Sequence, residues 1–131
     1  MKNNLKVILV CLLVQFVLSC DKDDESITPV ITSANITGVP EEGKQLVGFY
    51  TATGFSQEDY TNQKFTTTWW IADDEKGTNA EIIPNVTTST YTPTSTMIGK
   101  YLAVEILVDE FINSPKTSNY KGPIKSLTLE K

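Results

Sequence analysis

The chain of 131 residues carries 16 acidic against 11 basic side chains, a formal charge of −5, and no histidine. With no basic patch to offset phosphate charge, nucleic-acid binding is disfavoured. Without imidazole, Ser-His-Asp and Cys-His catalysis are excluded, and zinc loses one of its usual ligands.

Residues 1–19 have the three parts of an export signal: basic Lys2 and Lys6, an apolar run from Val7 to Leu18 broken only by Gln15, and small Ser19. At ~1.5 Å rise per residue that run is too short to span a bilayer, which takes about 20 residues. The stretch Val17-Leu18-Ser19-Cys20 resembles a bacterial lipobox. The resemblance implies cleavage before Cys20, acylation of its thiol and membrane attachment through the N-terminal lipid; an ordinary secretory signal cut elsewhere is the competing reading. Cys11 leaves with the signal, so no thiol remains to form a disulfide. The flank Asp21-Lys22-Asp23-Asp24-Glu25 resembles the acidic export signal of lipoproteins in Bacteroidetes-type bacteria. That likeness implies a place on the outer membrane, facing the cell exterior, with a periplasm-facing anchor as the alternative.

Removing 19 of the 131 residues leaves 112, enough for one hydrophobic core and too few for two. The expected organisation is a signal peptide over 1–19, a lipidated cysteine with an acidic linker over 20–29, and one domain over 30–131. Within that domain no stretch keeps helical apolar spacing over three turns. Short β-rich runs recur between Gly, Pro, Asn and Asp clusters: 31–39, 45–53, 65–72, 81–83, 89–92, 101–108 and about 117–129. Seven short strands in about 100 residues predict an all-β sandwich. In 65–72, alternation places Phe65, Thr67, Trp69 and Ile71 on one face and Trp70 on the other. In 101–108, Leu102, Val104, Ile106 and Val108 form an apolar face, while Tyr101, Ala103 and Glu105 face at least partly outward.

Gly38-Val39-Pro40, Gly43 to Tyr50, Trp69 to Asp73, Ser89 to Ser95, Gly99 to Glu105 and Tyr120 to Ile124 together resemble bacterial immunoglobulin-like repeats of surface and adhesion proteins. The likeness spans about residues 31–124 and implies an immunoglobulin-like β-sandwich. It lacks the bridging cysteines of the immunoglobulin pattern, and it stands alone where such repeats usually come in tandem. Those repeats serve mostly as spacers and binding modules, so the expected function is non-catalytic binding or assembly at the cell envelope. A glycan-binding accessory role and a purely structural role are the alternatives, with an envelope protein or a glycan as the partner. No cofactor and no metal are expected.

Carboxylates occur as neighbours: Glu41-Glu42, Glu58-Asp59, Asp73-Asp74-Glu75 and Asp109-Glu110. Adjacent strand residues point to opposite faces, so such neighbours do not converge on one reacting atom. The loop from Asp73 to Asn79 is the richest in oxygen donors, but Pro84 stands where a calcium-hand loop needs its final Glu. A polar turn around Gly77 is the simpler reading. If Trp69 is core, Trp70 points outward and forms a stacking platform with Tyr50, Tyr60 or Tyr120. The competing assignments cover Trp70 with Ile82, Ile83 or the loop around Tyr60, or exchange the two tryptophans. Tyr91 and Tyr101 are expected at the sandwich ends, each hydroxyl bonded to backbone.

Overall fold

Alternation in two long strands decides which side chains lie inside. In the computed structural model, which describes residues 27–54, 56 and 63–128, Leu102, Val104, Ile106 and Val108 of β6 (Tyr101–Val108) are all buried. In β3 (Phe65–Ala72), Thr67 and Trp69 point the same way and are buried. These two strands pair antiparallel along their full length, from Phe65 opposite Val108 to Ala72 opposite Tyr101. They form the centre of a four-stranded sheet, flanked by β4 (Glu81–Ile82) and β7 (Lys116–Thr117).

A second, three-stranded sheet carries β1 (Val30–Thr37), β2 (Leu46–Thr53) and β5 (Thr90–Tyr91) in the order β1-β2-β5. It contributes Ile31, Ala34, Leu46 and Tyr50 to the core, against Trp69 and the β6 row from the other sheet. Gly48 lets the sheets approach: a Cβ there would stand 2.9 Å from a methyl of Val104. The all-β expectation holds, with two antiparallel sheets stacked about one apolar layer. Trp69, with no exposed surface, is the core tryptophan.

Trp69 also fixes the chain between β4 and β5. Its indole N–H donates to the Thr88 carbonyl at 2.9 Å, and the Thr67 hydroxyl donates to the Thr87 carbonyl at 2.8 Å. Gly48 N–H reaches the Ser89 carbonyl from the opposite sheet at 2.6 Å. A segment with almost no strand of its own is thereby held by side chains from the core.

The C-terminal part departs from expectation. Instead of one strand from Thr117 to Leu129, only Lys116–Thr117 is regular, and Leu129 lies outside the described residues. Glu105 faces Thr117 and Leu102 faces Lys121, so Asn119 is an extra residue that bulges the C-terminal side. Pro123 has no N–H to give the ladder, and the next residue takes over, with Ile124 N–H donating to the Lys100 carbonyl and Gly99 N–H to the Ile124 carbonyl. Lys125 then joins the segment after β1, its N–H donating to the Pro40 carbonyl and its carbonyl accepting from Glu42 N–H. β1 stops at Thr37 rather than Val39, ahead of Pro40. The short strands β4 and β5 are each trimmed relative to the expected runs.

At the other end of β1, Ile31 N–H donates to the Ile112 carbonyl and Ile112 N–H to the Pro29 carbonyl, at 3.0 and 2.8 Å. The two sheets are thus stitched at both ends of β1. One end of the body gathers Pro29, Thr53, Phe65, Val108 and Ile112; the opposite end gathers Thr37, Leu46, Ala72 and Tyr101.

Candidate functional site

The outer face of the four-stranded sheet carries the aromatic residues singled out in the sequence. Opposite residues of antiparallel strands share a face. Ile82 lies opposite Trp70, and Trp70 opposite Ala103. The bonded pair Leu102–Lys121 places Tyr120 beside Ala103, one step along. The row therefore reads Ile82, Trp70, Ala103, Tyr120. Ala103 was expected to face at least partly outward, yet it has no exposed surface, and the two large side chains that flank it account for that.

Trp70 points away from the core, as alternation requires, but it is half-buried rather than bare. Its indole N–H is shielded from solvent and has no hydrogen-bond partner, whereas the N–H of Trp69 is bonded. Ile82 beside it stays 54% exposed, so it does not close over the face. Tyr120 is half-buried too, and burial pushes its phenol pKa up. Its ring lies on the loop after β3: a Cβ on Gly77 would stand 2.7 Å from Cε2 of Tyr120, and Gly77 has φ +82°. Both facts favour glycine at that position. Tyr50 does not join this group. It is buried between the sheets, edge-on to Phe65 at 5.4 Å and to Phe111 at 6.2 Å. Tyr60, Cys20 and the flank Asp21, Lys22, Asp23, Asp24 and Glu25 lie outside the described residues.

The Asp73–Asn79 loop is built by its own carboxylates. Asp74 accepts from Lys76 N–H at 2.9 Å, from Thr78 N–H at 3.0 Å and from the Thr78 hydroxyl at 2.7 Å. Asp73 accepts from the Asn79 amide at 2.8 Å and pairs with Lys100. The carboxylate oxygens of Asp73 and Asp74 are thus engaged within the loop or by Lys100. Among the described residues no three acidic or cysteine side chains gather as a metal-binding group. Asp109-Glu110 follow β6 at one end, Asp73-Asp74-Glu75 follow β3 at the other, and Glu58-Asp59 lie outside the described residues.

Both loop carboxyls are held below the ordinary value of 3.8, Asp73 chiefly by the Lys100 hydrogen bond and Asp74 chiefly by the Thr78 hydroxyl. A depressed folded-state pKa means stability that is present above the unfolded value and lost as pH falls through the folded one. We expect Asp74→Asn to melt below the wild type at neutral pH, with the gap closing as the solution is acidified below that value. Melting curves of both proteins across that range check it; a gap that widens in acid would reverse the assignment.

Tyr91 departs from its expected role, since its hydroxyl donates to the Met97 sulfur at 3.1 Å and not to backbone. Two shallow clefts lie among the described residues. One of about 220 Å³ is lined by Asp73, Asn79, Glu81 and Lys100 over Ile71 and Ala72. The other, of about 240 Å³, separates Ala34–Ile36 of β1 from Ser118–Lys121. The second lies between β1 and the segment that holds Asn119, a juxtaposition that no local sequence pattern signals. Comparison with protein-family models and with curated proteins gives no match to this chain.

Proposed function

We propose that this is a lipid-anchored envelope protein, held by acylated Cys20 and displayed on the outer membrane, whose immunoglobulin-like domain binds or assembles and does not catalyse. The Val17-Leu18-Ser19-Cys20 boundary followed by Asp21-Lys22-Asp23-Asp24-Glu25 carries the placement. The sheet orders β1-β2-β5 and β4-β3-β6-β7, with a tryptophan buried on the middle strand, support the immunoglobulin-like reading. Mass spectrometry of the native protein tests the anchor. Acyl chains on an N-terminal Cys20 are the expected result, and a free thiol or a different mature terminus ends the reading.

The row Ile82, Trp70, Ala103, Tyr120 favours a glycan as the bound partner over a purely structural role. Two aromatic side chains on one outer face, with an exposed aliphatic beside them, suit the apolar side of a sugar ring. On this reading Trp70→Ala and Tyr120→Ala each weaken glycan binding by about tenfold, the effect of roughly 1.4 kcal/mol, with the fold intact by circular dichroism. A wild-type protein that binds nothing on a polysaccharide array removes the glycan reading and leaves the structural one.

A further inference from the structure

We infer that the end of the domain at which the tether enters rests on the phospholipid bilayer, with Ile27, Phe65 and Ile112 against lipid. This rests on the reading of Cys20 as acylated. The three side chains are 69%, 40% and 49% exposed, and they belong to one end of the body. Ile27 lies against Gly54, the residue that follows β2; Ile112 is bonded to Pro29 and Ile31; Phe65 begins β3 and stands edge-on to Tyr50.

The tether decides which end meets the membrane. Residues 20–26 number seven, and a fully extended chain gains at most ~3.5 Å per residue, so Ile27 is held within about 25 Å of the acylated residue. The eight-residue strands are about as long, at ~3.3 Å per residue. The opposite end therefore reaches the bilayer only if the tether doubles back along the whole body. That opposite end exposes Val39 and Ile98, but among loops that carry Asp73, Asp74, Glu75, Lys76 and Lys100. Such a charged surface loses hydration on approaching lipid. Among the described residues the tether end carries Lys64, Asp109 and Glu110 around its apolar side chains. The chain's charge of −5 becomes −7 once Lys2 and Lys6 leave with residues 1–19, so attraction to anionic headgroups does not supply the contact; apolar burial does, and it is insensitive to salt.

The test uses the acylated protein in vesicles of phosphatidylethanolamine and phosphatidylglycerol, with a nitroxide on Ile112→Cys or on Ile98→Cys. A mature chain whose Cys20 thiol is acylated offers no other thiol to the label. At position 112 relaxation by oxygen, which partitions into lipid, should exceed relaxation by a water-soluble nickel chelate; at position 98 the order should reverse. Adding Ile27→Ser should reduce or abolish the difference between the two sites, and raising the salt should not. Protein that floats with vesicles but reports water at both sites overturns the inference. So does spin–spin broadening at position 112, which would assign that end to a second copy of the chain. Protein that fails to float at all shows instead that the acylation reading has failed, and the inference falls with it.

Discussion

Replacing Trp69 with alanine is expected to lower the melting temperature by on the order of 20 °C, the largest single-residue effect on stability in this domain. Removing a buried Trp side chain costs about 3–5 kcal/mol, against a total of about 5–15 kcal/mol for an ordinary domain. Each kilocalorie shifts the melting point of a domain near this size by roughly 4–8 °C. Trp69 does more than fill volume. Its N–H holds the Thr88 carbonyl at 2.9 Å, and its ring packs against Tyr91 at 5.6 Å. The substitution therefore leaves a cavity and an unpaired carbonyl, and it releases the segment that brings β5 to β2. Trp69→Phe keeps much of the volume but still abandons the carbonyl, at a cost of about 1–3 kcal/mol. Trp70→Ala is the internal control. Trp70 is half-buried and its N–H is already unpartnered, so its loss forfeits less. Thermal melts of the three variants check the order. A Trp70→Ala effect as large as that of Trp69→Ala would mean that Trp70 on the outer face contributes as much stability as Trp69 in the core.

The contrast between those two neighbours was half legible in the sequence. Period-two alternation separated them, and it identified Leu102, Val104, Ile106 and Val108 as a buried row, all of which the structure places in the core. Alternation says which face a residue shares, but it is silent on what covers that face. Alternation puts Ala103 on the outer face, where it does lie beside Trp70, but it does not foresee that Ala103 has no exposed surface there, flanked by Trp70 and Tyr120 from segments far apart in the chain. Tyr50 was grouped with Trp70 as a possible platform, yet its own strand directs it between the sheets. The C-terminal segment misled for a related reason. Its residues suit an extended backbone, but the regular ladder ends after Lys116–Thr117, and beyond the Asn119 bulge the chain meets β6 again only as a single bridge at Lys121. A bulge depends on the register of its partner strand, and register is a property of the pair. The Asp73 loop was legible as a turn, while the closing partner Lys100, 27 residues away, was not.

On the proposed reading of Cys20 as acylated, Cys20→Ser should move the protein from the membrane fraction almost completely, the largest effect expected of any substitution in the chain. Each methylene buried in the bilayer contributes ~0.8 kcal/mol, so one acyl chain holds marginally and two or more hold almost permanently. A serine hydroxyl in place of the thiol removes the acylated sulfur and, with it, the cleavage that depends on prior acylation. The apolar run from Val7 to Leu18 cannot stand in for the lost anchor. Twelve residues at ~1.5 Å each give about 18 Å, against a hydrocarbon thickness of about 30 Å. Among the described residues no helix is long and apolar enough to cross a membrane. The variant should therefore keep its first 19 residues, migrate more slowly than the mature protein on a gel, and wash off membranes in carbonate. Immunoblots of fractionated cells read all three outcomes at once. Equal retention of variant and wild type would mean that the apolar run is itself the anchor, and that Cys20 carries no lipid.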